Sequence, residues 1–425
     1  MKATFYTLGC RLNQAETSLI ANSFAQNGYD VVGNNEKADV CVINSCTVTD
    51  QADAKCRQLV RQVLRRNPET YVAVVGCYAQ IGATALKAID GIDLIIGTEE
   101  KMNVANYITA PTKRDTPLVI RGKMTKTPFT IGVKSDFLPT TRANLKIQDG
   151  CNFMCSFCVI PFARGRARSR DFADIQREAG ELIAFGAKEL IITGVNIGTY
   201  SFEQKGILEV VEMLLDVPGL ERLRISSIEP TTIPDALLDL MAHSEKLCSH
   251  LHIPIQSGSD SVLTGMRRLY NVDEFSEFVN RAARKVPDIL IGTDIMVGFP
   301  GESDAMFKES CKYFVDSPLA YAHIFTYSER SGTLAARSQD KVDARVKKER
   351  SRYLHQISEQ KKKAFYQKFL GKQLRVLTEE TDRGGRWLGF SDNYIKVAIP
   401  GKDLQANSLV EITVNNIENG LAVAA

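Results

Sequence analysis

An α/β fold in three parts is predicted for this chain of 425 residues. Two successive runs of alternating strand and helix patterns, followed by a β-rich end, carry the prediction, and the length fits two to four domains at roughly 100–200 residues each.

Over residues 1–110, apolar runs at 4–8, 40–44 and 71–75 alternate with helical patterns at 14–26 and 51–66. Near-continuous apolar strands separated by amphipathic helices imply a parallel sheet covered on both faces, a doubly wound domain. In such sheets reactive groups collect beyond the carboxyl ends of the strands. Cys10, Cys46 and Cys77 each follow such an end within three residues, so three distant thiols are expected at one rim. From 109 to about 141 the periodicity lapses and Pro111, Pro117, Pro128 and Pro139 punctuate a linker, with short edge strands at most. Between Pro111 and Ser135 the six cations Lys113, Arg114, Arg121, Lys123, Lys126 and Lys134 face one anion, Asp115.

Residues 142–330 form a second series, with strands at 144–148, 189–193, 222–227, 250–255, 289–297 and 321–326. Helical patterns at 171–185, 207–215, 234–243, 275–286 and 304–315 separate them. Six parallel β/α units curve into a partial (β/α)6 barrel with its chemistry at the carboxyl ends of the strands. A basic helix follows, nine cations against three anions between Lys341 and Phe365. Runs at 373–378, 387–390, 394–397 and 409–414, with Gly384-Gly385 and Pro400-Gly401 turns, read as a small antiparallel β-barrel of the oligonucleotide-binding kind. The expected division is 1–112, a linker 113–140, a core 141–365 that includes the basic helix, and 366–425.

Apolar residues at 44% and charged residues at 24% are ordinary for globular proteins and exclude a disordered, collagen-like or coiled-coil chain. The net charge of +3 does not advertise a nucleic-acid binder, but the two basic segments leave room for a local one. The start lacks the basic region, apolar run and cleavage site of a signal peptide, and no apolar stretch long enough to span a membrane follows. A cytoplasmic protein with no membrane partner is expected. In that reducing compartment cysteines bind metal or catalyse rather than pair.

Ten cysteines are the informative count. Cys151-Asn152-Phe153-Met154-Cys155-Ser156-Phe157-Cys158 is a C-x3-C-x2-C run directly after the first barrel strand. Three thiolates on one short loop can wrap a single metal cluster, with apolar residues between them to exclude water. A four-thiolate zinc site or an ordinary ferredoxin cluster wants a fourth cysteine nearby, and none follows. Three protein ligands on a cubane 4Fe-4S cluster leave one iron open to a small molecule. For Cys10, Cys46 and Cys77, placement at strand ends rather than spacing joins the three, and Gly9, Ser45 and Gly76 let backbone approach a cluster. Cys41, Cys56, Cys248 and Cys311 read as core residues. The five histidines form no pair at ligand spacing on a helix, so no separate zinc site is expected.

The C-x3-C-x2-C run at the first strand of a six-unit β/α series resembles the radical S-adenosylmethionine enzymes. With the three-cysteine α/β domain before it and the small β module after it, the whole chain resembles the methylthiotransferase family, in which that last module is called TRAM. The resemblance implies two 4Fe-4S clusters, one on Cys151, Cys155 and Cys158 and an auxiliary one on Cys10, Cys46 and Cys77. It implies two molecules of S-adenosylmethionine per turnover, one of them cleaved at the open iron to a 5′-deoxyadenosyl radical. The products are a new C–S bond and a methylthio group on an unactivated carbon, chemistry that acid–base catalysis does not reach. Phe157, inside the cluster run, and Gly194, Asn196, Ser226, Gln256 and Gly298, which follow strand ends, are expected at the S-adenosylmethionine site.

Within the family, residues 7–14 and 159–170 most resemble the branch that converts N6-threonylcarbamoyladenosine at position 37 of tRNA to its 2-methylthio derivative. Branches acting on isopentenyladenosine of tRNA or on a ribosomal protein aspartate stand as alternatives, as does a non-catalytic iron–sulfur RNA-binding protein. The implied partners are a tRNA anticodon stem-loop, an external electron donor and a sulfur donor. Arg164, Arg166, Arg168 and Arg170 alternate just beyond the cluster loop, where guanidinium groups suit tRNA phosphate or the threonyl carboxylate.

Overall fold

The computed structural model describes residues 1–134, 141–401 and 403–424, so Pro139 and the end of the expected linker lie outside the described residues. The first sheet is wholly parallel. It comprises β1 (Lys2–Thr7), β2 (Asp30–Val31), β3 (Val40–Ser45), β4 (Tyr71–Gly76), β5 (Leu94–Ile96) and β6 (Leu118–Ile120) in the order β2-β1-β3-β4-β5-β6. Every residue of β3 and β4 is buried, as strands covered on both faces require. On one face α1 (Arg11–Gln26) and a 3-10 turn at Lys101–Tyr107 contribute Ile20, Phe24 and Val104. On the other, α2 (Asp50–Arg66), α3 (Cys77–Ile81) and α4 (Ala83–Lys87) contribute Cys56, Val60, Ala79 and Leu86. The strand order reverses between β1 and β3, which opens a crevice at their carboxyl ends. β6 falls inside the expected linker: Leu118-Val119-Ile120 is apolar enough to pair with β5 as the edge strand.

The next segment runs β7 (Arg142–Lys146), β8 (Gln148–Asp149), α5 (Ile160–Arg164), β9 (Arg168–Ser169), α6 (Phe172–Ala184), β10 (Glu189–Thr193) and α7 (Ile207–Leu215). It continues through β11 (Arg222–Ile225), α8 (Asp235–His243), β12 (His250–His252), α9 (Asp260–Met266), α10 (Val272–Lys285), β13 (Leu290–Val297), α11 (Asp304–Asp316) and β14 (Tyr321–Thr326). The six expected barrel strands form two parallel sheets, β7-β10-β11 and β12-β13-β14, joined by single bridges at Leu223–Leu247 and Ser227–His252. β7 and β14 are the outer edges of the pair of sheets, and the barrel is open between them. The N-terminal domain lies across that opening. α1 packs along β7, with Glu16 Oε1 2.8 Å from Lys146 Nζ, and Arg330 beyond β14 pairs with Asp53 of α2 at 2.7 Å.

α12 (Ala344–Gln367) packs on β14. Arg345, Lys348, Arg352 and Lys363 face solvent, whereas Arg350 is buried against Glu302 at 2.5 Å and Asp304 at 2.7 Å. The final barrel closes in the order β15 (Gln373–Thr381), β16 (Trp387–Ser391), β17 (Lys396–Ile399), β19 (Leu421–Ala424), β18 (Leu409–Glu418). Its pairs are antiparallel except β17 with β19. It sits against the amino ends of the core strands: Arg222 pairs with Asp392 at 2.9 Å, Arg142 with Glu379 at 2.5 Å, and Arg224 donates to Ser391 O at 3.1 Å.

Candidate active site

Cys10, Cys46 and Cys77 follow β1, β3 and β4. Gly9 and Gly76 adopt φ of +99° and +96°. A Cβ on Gly9 would lie 2.6 Å from Cys46 Cβ, and one on Gly76 would lie 2.6 Å from Asn44 Oδ1, so only glycine lets these loops meet. Asn13 ties them together, its Nδ2 donating to Leu8 O at 2.7 Å and Ser45 O at 3.1 Å. Cys46 and Cys77 are buried, Cys10 is exposed, and the three thiols lie within electrostatic reach of one another. Burial pushes Cys46 up to about 11, so this thiol needs a coordinating cation to lose its proton near neutrality.

Cys151, Cys155 and Cys158 are half-buried on the loop after β8. The Phe153 N–H donates to Cys151 Sγ at 3.3 Å and Arg268 Nη1 to Cys155 Sγ at 3.4 Å, while Glu229 and the Tyr270 hydroxyl hold that guanidinium. Burial pushes Cys151 to about 11 and Cys158 to about 12. Among the described residues no three His, Cys, Asp or Glu side chains are disposed to hold a single metal ion. Each triad has a guanidinium donor on one sulfur, Arg268 on Cys155 and Arg164 on Cys77, and hydrogen bonds to sulfur are one of the means by which proteins tune iron–sulfur clusters.

The second such donor is Arg164, and with Arg168 and Arg170 it departs from the expectation of four arginines open to substrate. Its Nε donates to Cys77 Sγ at 3.2 Å, and its terminal nitrogens reach Glu16 at 2.9 Å, Asp149 at 2.9 Å and Asn13 Oδ1 at 2.6 Å. Burial alone would raise Glu16, but Arg164, Lys101 and Lys146 hold its carboxyl well below the usual range. Arg170 is fully buried between Asp174 and Glu178, and Arg168 pairs with Glu99 at 2.8 Å. These three are therefore not open to phosphate. Arg166 is exposed, and among the described residues it has no ion pair.

A cavity of about 480 Å³ opens within the core barrel, lined by Cys10, Arg11, Gly194, Ser226, His252 and Tyr394 among others. A second of about 180 Å³ adjoins Phe157, Cys158, Gln256 and Asp294, and Phe325 borders both. Gly194 and Ser226 thus share one cavity, Phe157 and Gln256 the other. Asn196 is 2% exposed and both polar atoms of its amide lack a partner, an orphaned pair that suits a polar ligand. Gly298 lines neither of these two cavities; a Cβ there would lie 2.3 Å from Lys347 Cγ, so its missing side chain makes room for α12.

The sequence reading also missed that His250, His252 and His323 gather at the larger cavity, with the His252 and His323 rings 5.4 Å apart. A search at helical spacing does not find them, but His250 and His252 alternate on one strand and so face the same side.

Comparison with known proteins first defines the class. Residues 145–314 match the Radical SAM superfamily model and residues 2–97 match a model described as Uncharacterized protein family UPF0004. A radical S-adenosylmethionine methyltransferase, TsrM, from Kitasatospora setae shares the fold, with a TM-score of 0.53 at 14% identity over 79% of this chain and 77% of that one. The chain is similar to "Threonylcarbamoyladenosine tRNA methylthiotransferase MtaB" of Bacillus subtilis (strain 168), 37% identical over 96% of this chain and 93% of the relative. It is equally similar to the protein of that name from Aquifex aeolicus, 37% identical over 94% and 97%. "tRNA-2-methylthio-N(6)-dimethylallyladenosine synthase" of Clostridium botulinum (strain Hall) is 32% identical over 89% and 86%. The chain belongs to the radical S-adenosylmethionine tRNA methylthiotransferase family and is an enzyme of that kind. Membership implies a 4Fe-4S cluster and S-adenosylmethionine.

Proposed function

We propose that the chain methylthiolates carbon 2 of N6-threonylcarbamoyladenosine at position 37 of tRNA, with 4Fe-4S clusters on Cys151, Cys155 and Cys158 and on Cys10, Cys46 and Cys77. The observation that carries this reading is that the larger cavity joins the Cys10 loop to Gly194 and Ser226, in a chain 37% identical over 420 residues to a relative whose name gives that substrate. When bound, the clusters and S-adenosylmethionine supply the radical and sulfur chemistry that a non-acidic C–H bond requires.

The chain's own residues bind, orient and exclude water. Arg268 and Arg164 each set an N–H donor on one cluster sulfur ligand. Asn196 and the backbone at Gly194 offer polar groups to S-adenosylmethionine, while Phe157, Met296 and Phe325 keep water from the smaller cavity. The base enters unstacked, as bases of single-stranded loops are usually read. The exposed Arg166, Lys123, Lys126 and α12 cations suit the phosphate backbone of the anticodon stem-loop. An external electron donor and a sulfur donor complete the reaction. No helix among the described residues is long and apolar enough to cross a membrane.

Anaerobic reconstitution tests the two triads. Uptake of two cubane clusters is expected, and uptake of one overturns the auxiliary site. Cys155→Ala should abolish 5′-deoxyadenosine formation, whereas Cys46→Ala should retain some cleavage but lose methylthiolation. Mass spectrometry of tRNA nucleosides from a strain lacking the gene should show loss of the 2-methylthio derivative of threonylcarbamoyladenosine. Loss of the isopentenyladenosine derivative instead assigns the other substrate.

A further inference from the structure

Two guanidinium groups, Arg11 and Arg224, line the larger cavity, and no carboxylate does among the described residues. Arg11, half-buried at the start of α1 beside Cys10, donates from Nη2 to the Tyr394 hydroxyl at 2.8 Å and has no carboxylate partner among the described residues. The arginines near it are different: Arg224 on the same wall is engaged by Glu189 at 2.7 Å, and Arg142, which lies over the Tyr394 ring outside the cavity lining, by Glu379 at 2.5 Å. Two groups on this wall, the buried His250 and the half-buried Tyr394, lie close to these cations. Burial lowers His250 well below its ordinary value, and Arg224, His252, Arg11 and Arg142 lower it further. Burial would raise Tyr394, yet Arg11, Arg142 and Arg224 together bring it down. Asp294, which lines the smaller cavity, faces His252 at 3.3 Å.

A guanidinium drawn partly out of water and given only a neutral hydroxyl is incompletely compensated, and its free donors match a carboxylate in a fork geometry. We propose that Arg11 is a specificity-determining residue that pairs with the carboxylate of the threonylcarbamoyl group, and that Tyr394 of the C-terminal barrel holds the guanidinium in position. The inference rests on the threonylcarbamoyl reading above and adds the contact that separates this substituent from an uncharged one. An isopentenyl group gains nothing from Arg11 and strips water from it, so the same contact that selects the acid rejects the hydrocarbon. The pair spans 383 residues of sequence, so this wall of the pocket exists only when the first and last domains are both docked.

The test uses full-length reconstituted protein and anticodon stem-loops carrying N6-threonylcarbamoyladenosine, its carboxylate methyl ester, or N6-isopentenyladenosine, with Kd read by fluorescence anisotropy. Wild type should prefer the free acid over the ester by about 10–100-fold, the range of a charge-assisted contact. Arg11→Met should level the two, Arg11→Lys should keep part of the preference, and Tyr394→Phe should fall between. The ester loop, bound through its phosphates alone, should hold its affinity across the series. Should Arg11→Met lose the ester loop too, Tyr394→Phe, remote in sequence from the Cys10 loop, decides by the same ratio. Retention of the wild-type preference in Arg11→Met and Tyr394→Phe overturns the role of Arg11. Wild-type protein indifferent to all three loops, or preferring isopentenyladenosine, overturns the substrate reading instead.

Discussion

A single absent methyl group sets how closely two cysteine loops approach. Gly9→Ala meets both a left-handed backbone and the Cys46 side chain, so it should destabilise the protein by more than the roughly 1–2 kcal/mol of backbone strain alone. It should also lower bound iron by about one cluster. Gly28→Ala, with φ +79° and open space around it, is the control that carries the strain without the clash. Thermal melting and iron content distinguish the two, and equal effects in both variants would remove the special place of Gly9. Small residues beside cysteines were legible in the sequence because their reason is local. The arginine run was not, since the acids that neutralise Arg164 and Arg168 (Glu16, Asp149 and Glu99) stand on other elements. A clue did exist on α1, whose buried face carries Asn13, Glu16 and Thr17 where apolar residues would be expected.

At the scale of elements, the join between β10, β11 and the closing barrel is organised around one fully buried carboxylate. Glu189 opens β10, fully buried between Arg222 and Arg224. Burial alone would raise it, but the two guanidinium groups bring it down to about 2. A carboxyl lowered by folding stabilises above its unfolded value near 4.5, and that contribution is lost as pH falls toward 2. Glu189→Gln should therefore cost about 3–5 kcal/mol at neutral pH by leaving the buried Arg224 without a carboxylate and Arg222 with Asp392 alone. The variant should also lose less stability than wild type between pH 4.5 and 2, which melting curves across that range would show. The repeating elements themselves were largely readable: β10 and β14 match their apolar runs residue for residue. β19 was overlooked although its signal was present, Asn419-Gly420 with φ of +48° and +77° forming the tight hairpin turn that such a pair favours.

On the scale of the whole molecule, the N-terminal domain covers the open side of the barrel and is clasped at both edges. Arg330 supplies one clasp, reaching Thr47 Oγ1 and Asp53 Oδ2, each at 2.7 Å, and Asp50 beside them. Arg330→Ala should speed amide hydrogen exchange in the first turn of α2 while the Cys151, Cys155, Cys158 site still takes up iron. Unchanged exchange there would mean that α1 and β7 hold the domains unaided. The three-part architecture was legible from periodicity, but the docking was not, because contacts such as Arg330 with Asp53 or Arg11 with Tyr394 leave no periodic trace. The other clasp has a mechanical side. α5 is barely more than one turn, begins just after Cys158 and ends in the side chain that touches Cys77. It is a five-residue strut between the two sulfur triads, so the distance from the Cys158 loop to the donor on Cys77 is spanned by one continuous element.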